Sequence, residues 1–208
     1  MAEKKPIVFV IDDDASVREG LQDLLESIGL AVISFGSPEE FLKGARPDSP
    51  ACIVLDIRLP GQSGLEFQRL LAETGIPLPI IFISGHGDIP MSVQAMKSGA
   101  IEFLTKPLHE QRLLDAVQTG LARDRSRLLE AQNVAELRLR DDSLTPRERE
   151  VFALVITGRP NKQIAASLEL SEMTVKVHRS QLTRKMRAKS VIELVRMADK
   201  LGVPTGPA

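Results

Sequence analysis

The sequence predicts an α/β domain built on a doubly wound, five-stranded parallel sheet, followed by a helical linker and a small four-helix all-α domain. Two observations carry this. Five short apolar runs alternate with amphipathic helix patterns through residues 1–123, after which the pattern is helical only. The charge divides in the same way: residues 1–143 carry 15 Lys and Arg against 22 Asp and Glu, net −7, whereas residues 144–208 carry 12 against 6, net +6. The total of −1 over 208 residues is therefore an acidic body joined to a basic segment of domain size, and such a segment points to nucleic acid.

The apolar runs are Ile7 to Ile11, Ala31 to Phe35, Ala51 to Leu55, Ile80 to Ile83 and Glu102 to Leu104. Between the first two, Ser16 and Glu19 form a capping-box pair ahead of Leu21, Leu24, Leu25 and Ile28, and Gly29 ends the helix. Ser37, Pro38 and Glu40 open the next helix, and Gly99 closes the one around Val93 and Met96. Repeated β-α units of this length make a parallel sheet whose ligand crevice lies at the carboxyl ends of the strands. Residues 124–143 form the linker: Leu114, Leu121, Leu128 and Ala135 fall seven apart, interrupted by Asp124 and Arg138, which gives weak coiled-coil character.

From residue 144 onward, Thr145-Pro146-Arg147-Glu148 is a capping box with proline in the first turn. Asn161 caps a short helix carrying Ile164, Ala165 and Leu168, Ser171 caps a longer one to about Arg187, and Ser190 with Glu193 opens the last. The short middle pair is a helix-turn-helix candidate.

Composition excludes several classes. A single cysteine, Cys52, forms neither an internal disulfide nor a thiolate zinc site, which fits a reducing, cytoplasmic setting. No apolar run approaches the ~20 residues of a membrane span. Trp and Tyr are absent, so gripping single strands on aromatic platforms is disfavoured and duplex DNA is the expected partner.

The acidic half places its reactive residue types at strand ends. Asp12, Asp13 and Asp14 follow the first run and Asp56 the third, so neighbouring strand ends would bring carboxylates into one crevice, where Mg²⁺ is the natural occupant. Ser84 ends the fourth run and Lys106 follows the fifth. Carboxylate, metal, hydroxyl and ammonium together describe a site that takes a phosphoryl group onto an aspartate.

The order Asp12-Asp13, Asp56, Ser84, Lys106-Pro107 resembles the receiver domain of two-component response regulators over about residues 5–123, supported by Leu59-Pro60-Gly61, Gly64 and Ala100-Ile101-Glu102-Phe103-Leu104. The resemblance implies a flavodoxin-like fold, with Asp56 accepting phosphate from a sensor histidine kinase. It also implies Mg²⁺ held by Asp12, Asp13, Asp56 and the backbone carbonyl of Arg58. Ser84 and Lys106 would bind phosphoryl oxygens, and Ser84 with Phe103 would form the switch, the latter through ring burial because phenylalanine has no hydroxyl. A phosphohydrolase of the haloacid-dehalogenase type, with its Asp-x-Asp pattern, is the rival. The residue two after Asp56 is Arg58, so no general acid is placed for turnover and only slow self-dephosphorylation is expected. Arg58 and His86 are expected to tune that rate.

In the basic half, winding the helix from Glu172 at ~100° per residue sets Val175, Leu182 and Met186 on one face, with His178 and Arg179 at its edges. Lys176, Val177, Ser180, Gln181, Thr183, Arg184 and Arg187 cover the other side, and no acid occurs between Glu172 and Glu193. The segment resembles the LuxR-type effector domain through Leu144 to Val151, Asn161-Lys162-Gln163-Ile164-Ala165 and Thr174-Val175-Lys176-Val177-His178. That resemblance implies base approach by Lys176, Val177 and Ser180, phosphate contacts from Lys162, Thr174 and Arg184, a packing role for His178, and a dimer surface on the last helix at Val191, Leu194, Val195 and Ala198. The halves together resemble the FixJ and NarL group of regulators. The implied activity is phosphorylation-dependent homodimerisation on double-stranded promoter DNA, with RNA polymerase a further partner. The opposed charges of the halves suggest electrostatic masking of the basic segment before phosphorylation, a salt-sensitive effect.

Overall fold

The computed structural model describes residues 5–44, 48–85 and 89–203, so His86, Gly87 and Asp88 lie outside the described residues. The chain divides into two compact units, residues 1–128 and 129–208.

The first unit holds β1 (Ile7–Ile11), α1 (Ala15–Ser27), β2 (Ala31–Phe35), α2 (Pro38–Lys43), β3 (Ala51–Asp56), α3 (Gly64–Glu73), β4 (Ile80–Ser84), α4 (Ile89–Lys97), β5 (Glu102–Thr105) and the start of α5 (Glu110–Asp142). The strands are parallel in the order β2-β1-β3-β4-β5. Alternation along each central strand feeds two cores. Phe9, Ile53, Leu55 and Phe82 meet Phe41, Phe67 and Leu71 from α2 and α3, and Ala95 from α4. Val8, Val10, Val54 and Ile83 meet Leu21 and Leu25 from α1 and Leu113, Val117 and Leu121 from α5. Strands buried on both faces explain why the runs read as continuously apolar.

Several local expectations need correction. The N-cap of α1 is Asp14, whose carboxylate accepts the Ser16 N–H at 2.8 Å, so Ser16 is a helical residue and not the cap. An ionised side chain one position before the helix competes better for the free N–H groups than a serine inside it. The third strand continues through Asp56, which pairs in register with Ile83. Asp124 does not open a free linker. It is buried, accepts the Ala51 N–H at 2.9 Å and the Arg127 Nε at 2.7 Å, and so satisfies the first donor of β3. Along the same helix Leu121 packs on the sheet, whereas Ala131 and Ala135 are exposed.

The second unit comprises the remainder of α5 with α6 (Pro146–Val155), α7 (Asn161–Leu168), α8 (Glu172–Met186) and α9 (Val191–Leu201). Its core gathers Leu137, Val151, Phe152, Ile164, Val175, Leu182, Met186 and Leu194. Asn161 is the first residue of α7 and Pro160 its N-cap. The Asn161 side chain instead accepts from Arg179 at 2.6 Å, a bond that joins α7 to α8. On α9, Leu194 and Ala198 are buried in this core, and Val191 and Ile192 are the exposed apolar residues, which removes the first two from any dimer surface.

Glu148 is the key polar residue here. At 2% exposure, it closes the α6 capping box by accepting the Thr145 N–H at 2.7 Å and takes Lys185 Nζ at 2.6 Å. Burial works to raise its pKa, but the bonds from Lys185 and Thr145 overcome this and hold it below the usual carboxylate range. A carboxylate with a depressed folded pKa adds stability above its unfolded pKa, and that stability is lost as pH falls through the folded value. Glu148→Ala is expected to cost about 2–4 kcal/mol. In Glu148→Gln, hydrogen-exchange protection of α6 and α8 should be lower at neutral pH and nearly insensitive to acidification. Wild-type loss of protection in acid matched by the Gln variant would refute this.

Candidate functional site

The crevice forms where β1 and β3, adjacent in the sheet, send their following chains to opposite faces. Asp12 follows β1 and Asp56 ends β3. Both carboxylates are almost fully buried, and both accept Lys106 Nζ at 2.8 Å. The second oxygen of Asp12 takes the Asp14 N–H at 2.9 Å, and that of Asp56 takes the Arg58 N–H at 2.6 Å. Lys106 is held in turn through its own N–H, which donates to the Ser84 carbonyl at 2.7 Å. Ser84 is fully buried as the last residue of β4, paired in register with Thr105.

Backbone approach sets this geometry as much as side-chain choice. A Cβ on Gly64 would lie 2.7 Å from the Asp56 carbonyl oxygen, so only glycine lets α3 begin this close to the Asp56 backbone. Phe103 is half-buried and tilts against Phe82 with ring centroids 6.4 Å apart.

Asp13 and the Arg58 side chain are exposed. The structure thus brings Asp12, Asp56 and Lys106 into direct contact, with Ser84 one backbone bond away, and leaves Asp13 outside that group. Among the described residues, no set of three or more His, Cys, Asp or Glu stands close enough to hold a metal.

In the second unit, Lys162 on α7 and Lys176, Val177, Ser180 and Arg184 on α8 are exposed, and Thr174 is half-buried with its N–H bonded to Ser171 Oγ at 3.1 Å. The opposite face of α8 is closed by Val175, Leu182 and Met186. The predicted contact residues are therefore presented outward from a short helix pair, apart from Thr174, which helps to cap the second helix. His178 is half-buried, in keeping with packing.

Residues 8–118 match the response regulator receiver domain family, and residues 142–198 match the bacterial regulatory proteins of the luxR family. The chain belongs to the FixJ/NarL-type two-component response regulators. This regulator is 52% identical over 202 residues to nodulation protein W of Bradyrhizobium diazoefficiens, covering 97% of this chain and 89% of that protein. Among solved structures it is similar to the response regulator StyR, with a TM-score of 0.83 at 48% identity over 94% of this chain and 99% of that one. It is also similar to full-length FixJ from B. japonicum, with a TM-score of 0.56 at 37% identity over 98% and 100% of the two chains. The flavodoxin-like receiver fold and the helix-turn-helix class are thereby established, and no helix among the described residues is long and apolar enough to cross a membrane.

The electrostatics of the regulator's acidic site are unbalanced. Burial, helped by the nearby Asp56 charge, raises the Asp12 pKa despite the opposing Lys106 bond. Burial would lower that of Lys106, but its bonds to Asp12 and Asp56 prevail and keep it above its ordinary value. Two carboxylates against one ammonium leave negative charge in a desolvated site, lined by hard oxygen donors, and a small divalent cation fits that chemistry.

Sequence reading missed two residues of these sites. Arg18 Nη1 donates to the Asp12 carbonyl at 2.6 Å and the Asp13 carbonyl at 3.0 Å, pinning the acidic loop onto α1. Met173, at the start of α8, is 70% exposed. The signal for Met173 was present, since it lies on the predicted polar face; Arg18 had none, because its partners are backbone atoms.

Proposed function

We propose that the protein is a phosphorylation-dependent transcriptional regulator that accepts a phosphoryl group on Asp56 from a sensor histidine kinase. The observation that carries this reading is the Asp12–Lys106–Asp56 contact, with both bonds at 2.8 Å, at the carboxyl ends of adjacent parallel strands. Asp56 would attack the phosphorus of a phosphohistidine. A carboxylate oxygen bonds to phosphorus as the P–N bond breaks, and the imidazole keeps the electron pair. Asp12, Asp13, Asp56 and the Arg58 carbonyl would hold Mg²⁺, which when bound neutralises charge on the phosphoryl oxygens. Lys106, already charged, and the Ser84 hydroxyl would bind the same oxygens. The chain performs no turnover beyond this self-modification and its slow reversal.

Phosphorylation would draw Ser84 toward the phosphate and let Phe103 bury further. Ile89, Val93 and Met96 form an exposed apolar row on α4, beside the strand that carries Phe103, and this supports receiver dimerisation on that side. Two effector domains would then engage a two-fold promoter site, with Lys162, Thr174 and Arg184 at phosphates and Lys176, Val177 and Ser180 at bases. RNA polymerase would be the downstream partner, and the setting cytoplasmic. The working division is a receiver over residues 1–123, a helical linker over 124–143 and a DNA-binding domain over 144–208. Footprinting on selected duplex sites, with and without Mg²⁺ and a small phosphodonor, tests the reading; protection should extend or strengthen with the donor, and identical footprints would end it.

Arg58 is exposed, and its backbone N–H engages an Asp56 oxygen at 2.6 Å. Arg58→Ala is expected to change the phosphoaspartate half-life severalfold by altering access of the attacking water. An unchanged half-life would remove Arg58 from that role.

A further inference from the structure

The exposed face of α8 is not uniformly polar. Met173 is 70% exposed and Val177 48% exposed. Four residues apart, they are neighbours on one helical face. At ~100° per residue they share a stripe of about 60° with Ser180 and Arg184, opposite Val175, Leu182 and Met186. No core of the second unit covers this pair, which sits in the N-terminal half of the helix.

On the face read as meeting DNA, an exposed apolar pair is placed to touch an apolar group of the partner. Its surroundings fit that partner. Lys176 and Arg184 flank it, and from Met173 to Ile192 the chain carries six Lys and Arg and no acid, so the face is complementary to a polyanion. In the major groove of DNA, the apolar feature at this depth is the 5-methyl group of thymine. We propose that Met173 and Val177 together read thymine methyl groups, and that Met173 is a specificity-determining residue in its own right. The proposal rests on the DNA-binding reading of α8 and extends it to a base and a functional group. Ser180 and Lys176 can donate to base edges at neighbouring positions, whereas the apolar pair can discriminate thymine only by its methyl.

The test uses the full-length protein with phosphodonor. Selection from a random duplex pool defines the preferred half-site, and each thymine is then replaced by deoxyuridine, which removes the methyl and nothing else. Affinity should fall about fourfold per contacted methyl, the ratio equivalent to burying one CH₂ group. Met173→Gln and Val177→Ala should each bind the thymine and deoxyuridine sites more nearly equally; both positions are exposed, so folding is retained. A preferred site whose binding by wild type ignores every thymine methyl overturns the proposal alone. So does an unreduced deoxyuridine penalty in both variants. Absence of any sequence preference in the wild type overturns the DNA reading with it.

Discussion

Asp56→Asn is expected to take up no phosphate from a small phosphodonor or a kinase, and its DNA binding and self-association should stay at the unphosphorylated level with Mg²⁺ and donor present. Asparagine keeps the shape of the side chain and an oxygen that can still accept from Lys106 or from the Arg58 N–H. What it loses is the anionic oxygen that bonds to phosphorus, and the effect is therefore complete rather than graded. The mass of the intact protein after exposure to the donor reads the loss directly. Equal donor-dependent gains in DNA affinity for Asp56→Asn and wild type would show that phosphorylation of this residue is not the switch.

Lys106→Met should be nearly as damaging to the chemistry and more damaging to the fold. Removing one charged donor aimed at a developing phosphoryl charge costs about 10²–10³ in rate by analogy with other preorganised donors. The variant also leaves the Asp12 and Asp56 carboxylates buried without the ammonium they share at 2.8 Å. Breaking a buried pair in this way costs about 3 kcal/mol. The pH dependence follows from the directions of the shifts. Asp12 is already raised by burial, and a carboxyl with a raised folded pKa contributes stability below its unfolded pKa that is lost as pH rises through the folded one. Without Lys106 that rise grows, so the stability gap to wild type should widen from acid to neutral pH. In the wild type, the raised Lys106 pKa keeps its contribution through neutral pH, to be lost only as pH climbs through the folded value. Denaturant titrations at acid and neutral pH, alongside phosphorylation rates, check both parts. A gap that is constant with pH would deny the shared-ammonium account.

Much of this was legible beforehand. The three central strands are buried on both faces, so they announce themselves as apolar runs, and the functional residues sit at predictable places just where the runs stop. Asp56 and Ser84 could be placed at strand ends because a run has a visible last member. The helix-turn-helix was legible for a similar reason: Thr145, Ser171 and Ser190 are caps whose partners lie three residues away.

Apart from the α1 cap, the misreadings occurred where the deciding partner lies on another element. Asp124 looked like a flaw in a heptad, yet it accepts the N–H of Ala51, 73 residues away. Asn161 looked like a cap, but its oxygen serves Arg179, and Leu194 and Ala198 looked available for dimerisation although they complete the core.

Local pattern thus sufficed for the elements, their order, the acidic and basic division and the residue types brought to each strand end, because these depend on neighbours within a turn or a strand. The β2-β1-β3-β4-β5 order, which sets Asp12 and Asp56 on one Lys106 ammonium with Asp13 turned out to solvent, came only from packing. Those outcomes depend on distances between segments far apart in the chain, which hydrophobic periodicity does not encode.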